Sequence, residues 1–177
     1  MKIIIGNDHG GYALKLKIIE ELNKRPDIVI EDVGSHSEES VRYPIYAALV
    51  AKAVSGSAAA ASAFSDSSNA ALVAKAVSGP AAAASAEPCR GILICSTGIG
   101  MSLAANKYRG VRATLCTSTF MGKMSRAHND SNVLCLGGRV TGYLEALDIL
   151  NAWLDTAFDG GRHAASLELV RECEAND

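Results

Sequence analysis

Five short apolar runs punctuate the chain, at Lys2–Gly6, Ile28–Val33, Gly91–Cys95, Val111–Leu115 and Val133–Leu136, and each reads as a buried strand. Longer segments with helical spacing lie between them. Tyr12–Leu22 sets Leu14, Ile18, Ile19 and Leu22 on one face, and Tyr143–Leu154 carries a stripe of Leu144, Leu147, Leu150, Trp153 and Leu154. Leu103–Lys107 reads as helix directly behind the third strand. Alternation of strand and helix predicts an α/β fold with a mainly parallel sheet. Such sheets bind ligands outside the carboxyl ends of their strands, so the residues just after each strand matter most.

The middle of the chain breaks this rhythm. Ala47–Ala63 reads AALVAKAVSGSAAAASA and Ala70–Ala86 reads AALVAKAVSGPAAAASA, two 17-residue copies that differ only at Ser57 and Pro80. Two copies are too few for a solenoid, so the repeat reads as a local duplication, a low-complexity insert at about 47–88. One AALVAKAV copy is expected to form the helix before the Gly91 strand. The other, with the Ala/Ser tails, is expected to loop out or add a mobile surface helix, broken at Pro80.

Composition narrows the class. The 177 residues fit a single domain, and a net charge of −2 with scattered cations gives no nucleic-acid footprint. No apolar stretch suits a membrane span, and Met1–Gly6 lacks the features of a signal peptide. Five cysteines, odd in number and without a CxxC pair, read as reduced thiols of a cytoplasmic protein.

Four segments offer chemistry. Gly6-Asn7-Asp8-His9-Gly10-Gly11 follows the first strand and brings a carboxylate and an imidazole to its carboxyl end. Its glycines admit close approach of a ligand, although Asp8 also suits a plain helix cap. Cys95-Ser96-Thr97-Gly98-Ile99-Gly100-Met101-Ser102 follows the third strand. A cysteine between a strand end and a helix N-terminus is placed for thiolate chemistry, and the N–H groups of Ser96–Gly100 form a nest for an oxyanion. The alternative is an inert buried thiol. A cysteine-phosphatase loop needs arginine where Met101 stands, and a dinucleotide fingerprint needs glycine where Leu103 stands. Arg126-Ala127-His128-Asn129-Asp130 offers an acid–base group, or a turn with local Asx bonds. Gly160-Gly161-Arg162-His163 offers an arginine for phosphate at the start of a helix, or a solvated cation. His36 reads as surface.

Together these blocks resemble the type B ribose-5-phosphate isomerase family, which includes galactose-6-phosphate and allose-6-phosphate isomerases. The matching stretches are IIIGNDHGGYALK, YPIYA at Tyr43–Ala47, GILICSTGIGMSLAANK, GVRATLC, HNDSNVLCLGGRV and AWLDTAFDGGRH, nearly the whole chain outside the repeat. The resemblance implies a Rossmann-like three-layer sandwich with a mainly parallel five-stranded sheet. It also implies a homodimer, in some relatives a dimer of dimers, with a sugar phosphate bound between subunits and no metal or organic cofactor. Loops carrying Asp8 and Cys95 would come from one chain, the His128 region and Arg139 from the other. Cys95 aligns with the base that moves the proton between C2 and C1, and Thr97 with a proton relay. His128 aligns with the ring-opening group and Asp8 with a contact to the sugar hydroxyls. Ser96, Gly98, Ile99 and Gly100 align with the enediolate cradle, and Tyr43 and Asn129 with substrate contacts. His9, Arg139 and Arg162 align with phosphate contacts. Some relatives use a glutamate where Met101 stands, so this chain looks like the cysteine type.

Three departures stand out. Ser96 replaces a usual glycine, tolerable if its φ is negative. Ser166 stands where the family often has a second phosphate arginine, which puts substrate choice in question more than reaction type. The third is the repeat. Competing readings are an isomerase of a six-carbon sugar 6-phosphate, a non-catalytic sugar-phosphate-binding protein, and a nucleotide-binding oxidoreductase resting on the partial glycine pattern.

Overall fold

The computed structural model describes residues 1–55 and 89–175. Five parallel strands form one sheet in the order β2-β1-β3-β5-β4. They are β1 (Lys2–Asn7), β2 (Val29–Asp32), β3 (Cys89–Cys95), β4 (Ala113–Leu115) and β5 (Val133–Gly137). The described helices are α1 (Tyr12–Leu22), α2 (Tyr43–Ser55), α3 (Ile99–Ala105), α4 (Thr119–Ala127), α5 (Tyr143–Asp155) and α6 (Arg162–Ala175).

Side chains of successive strand residues point to opposite faces, and both faces are covered. Ile3, Ile5, Ile92, Ile94, Leu134 and Leu136 pack against Leu14 and Ile18 of α1 and Ile149, Leu150 and Trp153 of α5. On the other face Ile4, Leu93, Val133 and Cys135 meet Ala47, Val50 and Ala51 of α2 and Met101 and Ala105 of α3. The α/β fold with a parallel sheet expected from strand–helix alternation is thus present, as is the three-layer sandwich that the resemblance implied. The small side chains of the first repeat copy let α2 lie close to β1 and β3. The second copy, Ala70–Ala86, lies outside the described residues, as does the expected looping-out of the insert.

Element limits differ from the sequence pattern where local bonds outcompete the ladder. Val111 is buried, but its N–H bonds Tyr108 O at 3.1 Å, and Arg112 N–H bonds Asn132 Oδ1 at 2.7 Å, so β4 begins at Ala113. Ile28 N–H likewise closes a turn onto Arg25 O, leaving β2 to start at Val29. Helix α4 is not among the segments read from the sequence: its buried face is Gly122, Ser125, Arg126 and Ala127, while Phe120 and Met121 are exposed, and its start is set by Ser118, whose Oγ accepts the Met121 N–H.

Connections leave β1 toward β2 on one side and β3 toward β4 on the other. The strand order therefore reverses between β1 and β3, and the crevice at their carboxyl ends is the place where a doubly wound sheet takes a ligand. No described helix is long and apolar enough to cross a membrane.

Candidate active site

The loops after β1 and β3 meet at this switch point. Asp8 is buried; its N–H bonds Ile94 O at 3.1 Å, and its Oδ1 accepts the Gly10 N–H at 2.9 Å, capping a short 3-10 turn. The cap leaves the second carboxylate oxygen for another role. Asn7, fully buried, donates to Asp8 O at 2.8 Å and stiffens the turn. His9 Nδ1 accepts the Val41 N–H at 3.3 Å, which fixes the ring against the loop leading into α2. Tyr43, at the start of α2, lies over Gly100, where an added methyl would sit 2.8 Å from its ring.

Cys95 ends β3 and is 5% exposed. The chain turns at Gly98, whose φ of 78° is a conformation that glycine adopts at little cost. That turn aims the Gly98 N–H at Cys95 Sγ, 3.1 Å away, at the start of α3. Thr97 Oγ1 accepts the Ile99 N–H at 3.3 Å, and Thr97 and Ile99 are exposed at the mouth of the loop. Ser96 has no positive φ, since Asp130 is the sole non-glycine described residue with one, so the serine sits there without backbone strain. Its Oγ fills the space beside Gly10, where a Cβ would come within 2.2 Å. Met101 is fully buried in the core under the loop, so no carboxylate competes with Cys95 from that position.

Arg139 belongs to this same edge. Its N–H bonds Ser96 O at 3.0 Å, and Gly138 N–H bonds Cys95 O at 2.7 Å. The Arg139 backbone is thus tied to the Cys95 loop of its own chain, whereas the resemblance grouped Arg139 with His128.

His128 and Asn129 stand at the other edge of the sheet. They follow α4 and precede β5, and Asn129 O accepts from Arg112 Nε, just ahead of β4, at 3.2 Å. Because β5 runs beside β3 in register from Gly91↔Val133 to Cys95↔Gly137, the amino ends of these strands lie about 13 Å from the Cys95 end. Asp130 holds this corner with φ 44°, its carboxylate bonding Arg112 and Arg126 at 2.8 Å each. His163 of α6 stacks on His128 with ring centroids 4.1 Å apart and planes 9° from parallel. Partial burial, then the positive neighbours His128 and Arg162, push the His163 imidazole below its ordinary value. Arg162 is exposed at the start of α6. Ser166 Oγ bonds back to Arg162 O at 3.3 Å, so this hydroxyl is used within its own helix and does not replace an arginine.

The fold thus gathers Asp8, His9, Tyr43, Ser96–Gly100, Cys95 and Arg139 at one edge and His128, Asn129 and Arg162 at the opposite one. Several supporting residues escaped the sequence. Lys15 is fully buried, its Nζ on Asp32 at 2.9 Å and on Ser35 O at 2.6 Å, anchoring the loop after β2; its place inside an apolar helical stripe gives no signal. The Arg126–Asp130 pair was visible in principle as an i,i+4 spacing. All five cysteines are free; burial pushes Cys116 up to about 11 and raises Cys135 as well, so neither of these two is a ready thiolate.

An all-parallel sheet with a cysteine, a left-handed glycine turn and a buried carboxylate at its switch point defines a doubly wound α/β protein with a ligand edge built for acid–base chemistry. The profile described as Ribose/Galactose Isomerase matches residues 3–66 and 61–170, two pieces that meet within the duplicated region. Ribose-5-phosphate isomerase B of Escherichia coli is 39% identical over 173 residues, covering 98% of this chain and 96% of the relative. The solved ribose-5-phosphate isomerase B of Clostridium thermocellum is 43% identical with a TM-score of 0.78, covering 99% of both chains. That of Mycoplasma genitalium, solved with bound ribulose 5-phosphate, is 32% identical with a TM-score of 0.77, covering 99% of this chain and 97% of its own. The chain belongs to the ribose/galactose isomerase family and is a sugar-phosphate isomerase.

Proposed function

We propose that this isomerase interconverts ribose 5-phosphate and ribulose 5-phosphate through an enediolate, with Cys95 as the base. The observation that carries the reading is the Gly98 N–H aimed at Cys95 Sγ from a left-handed turn at the switch point. The Cys95 thiolate takes the C2 proton of the open-chain aldose, and the electron pair moves through C1 to leave negative charge on O1. Backbone N–H groups of the Ser96–Gly100 loop hold that charge. A proton passes from the C2 hydroxyl to O1, with Thr97 as relay, and Cys95 returns its proton to C1, giving the ketose. Asp8 orients the sugar hydroxyls with the carboxylate oxygen its cap leaves over, and Tyr43 closes the side of the pocket. His9, Arg139 and Arg162 bind phosphate, whose remote binding energy positions the reacting carbons.

Ring opening needs a separate acid–base group, assigned to His128 with Asn129 beside it. What supports a homodimer with shared sites is the separation of His128 and Arg162 from Cys95 across the sheet: one chain cannot bring them together, and two copies can. The test is complementation. Cys95→Ala and His128→Ala chains are each purified inactive, then mixed and allowed to exchange subunits. Random exchange makes half the dimers mixed, each with one intact site, so about a quarter of wild-type activity returns. No recovery despite verified exchange would contradict shared sites.

A further inference from the structure

We infer that His128, Asp159 and His163 form a divalent transition-metal site, of the kind that takes zinc or cobalt, and that metal bound there inhibits the isomerase. The ligand atoms of these three residues all lie within 4.8 Å of one another. The backbone brings them together. His128 caps the end of α4 through its N–H on Met124 O at 2.9 Å, and Asp159 N–H bonds Ala127 O at 2.9 Å, tying the approach to α6 onto the same turn. Two consecutive left-handed glycines, Gly160 at φ 67° and Gly161 at 54°, then reverse the chain, and His163 N–H closes the turn on Gly160 O at 3.0 Å. An L side chain is strained in that conformation, so the turn that delivers His163 onto His128 depends on glycine.

The donor set decides the class of ion. Two imidazoles and one carboxylate suit borderline divalent metals, whereas calcium and magnesium prefer oxygen ligands. Three protein ligands leave a fourth position open. The stacked rings hold their lone pairs in near-parallel planes, and ligand atoms around tetrahedral zinc lie about 3.4 Å apart, so the rings must shift out of the stack for the ion to enter. Metal entry therefore competes with the His128–His163 stack and removes the His128 lone pair from use. The inhibition arm rests on the role proposed for His128; binding does not.

The experiment titrates cobalt into the full-length chain carrying Cys173→Ser, so that the exposed thiol contributes nothing, and follows the visible absorption of tetrahedral cobalt, with zinc competition by calorimetry. One equivalent per chain is expected, weakened at least tenfold by His163→Gln and by Asp159→Asn, with folding of each checked by circular dichroism. Absence of saturable binding, or binding unchanged in both variants, overturns the site. Zinc inhibition reversed by a chelator in the Cys173→Ser protein supports the full inference. Binding at the site that leaves turnover untouched overturns the inhibition arm and the role of His128 while the metal site stands.

Discussion

Asp130→Asn isolates the charge that holds the His128 corner. Asparagine tolerates the φ of 44° that Asp130 adopts, so the backbone cost of the change is small. The carboxylate is lost, and with it the ionic partner of Arg112 and of Arg126, whose side chain is only 7% exposed and keeps its bond to Ser131 O. Arg90 stands near the same group: burial first, and then repulsion from Arg126, lower its value to about 10, partly offset by Asp130. Three guanidinium groups therefore share the field of one carboxylate. Breaking a buried pair by removing one partner costs about 3–5 kcal/mol. Asp130 is 34% exposed, and water recovers part of that, so about 2–3 kcal/mol is expected here. At about 2–4 °C per kcal/mol for a domain of this size, Tm falls by about 4–12 °C. Turnover at 25 °C, where the variant is still folded, falls as well, because Asn129 and His128 ride on the loosened turn. Thermal unfolding at pH 7 and kcat/KM on ribose 5-phosphate read the two effects. A Tm within about 1 °C of wild type with unaltered kcat/KM would refute the reasoning.

Gly98→Ala places a Cβ 2.5 Å from Leu115 Cδ1 in a left-handed conformation, so a loss of about 2–4 kcal/mol in denaturant unfolding and a displaced Cys95 loop are expected; unchanged stability and activity would argue against the turn. Ser166→Arg adds a cation one helical turn after Arg162 and is expected to lower KM for ribose 5-phosphate by roughly tenfold, with kcat little changed; an unmoved KM would place the phosphate elsewhere. Cys116 shows alkaline linkage: burial raises it from 9.0 to about 11, so between those values the unfolded chain releases a proton that the folded chain keeps. Stability falls as pH rises through that window, by up to about 3 kcal/mol from this group, and Cys116→Ala unfolds with a shallower alkaline slope; equal slopes would contradict it.

The sequence pattern conveyed the sheet because each strand lies in a short run rich in apolar residues and α1 and α5 carry apolar stripes, so strand count and parallel pairing followed from alternation. It missed α4, which a Ser118 cap starts and which packs against α5 through small and polar residues, Gly122, Ser125 and Ala127, while its Phe120 and Met121 stay exposed, and it lengthened β4 by including Val111, which reaches the core from a turn. The Cys95 loop was legible as a cysteine between a strand end and glycines. The tight fit of Ser96 beside Gly10 was not, since it depends on two loops 86 residues apart in sequence. Nor was the contact that Arg139 makes: Gly138 and Arg139 follow β5 directly, and the bonds of their N–H groups to Cys95 O and Ser96 O show that they reach the Cys95 loop while His128 stays at the other edge. His163 carried no recognisable role because its stack on His128 joins two helices that no local spacing relates.

Isomerisation of ribose 5-phosphate by metal-free protein, Cys95→Ala beside wild type, tests the central claim most directly. Wild-type turnover that falls at least about 100-fold in a variant with unchanged circular dichroism is the expected result. A Cys95→Ala protein that keeps activity within a few-fold of wild type would contradict Cys95 as the base, and a wild-type protein with no turnover of this sugar would contradict the substrate.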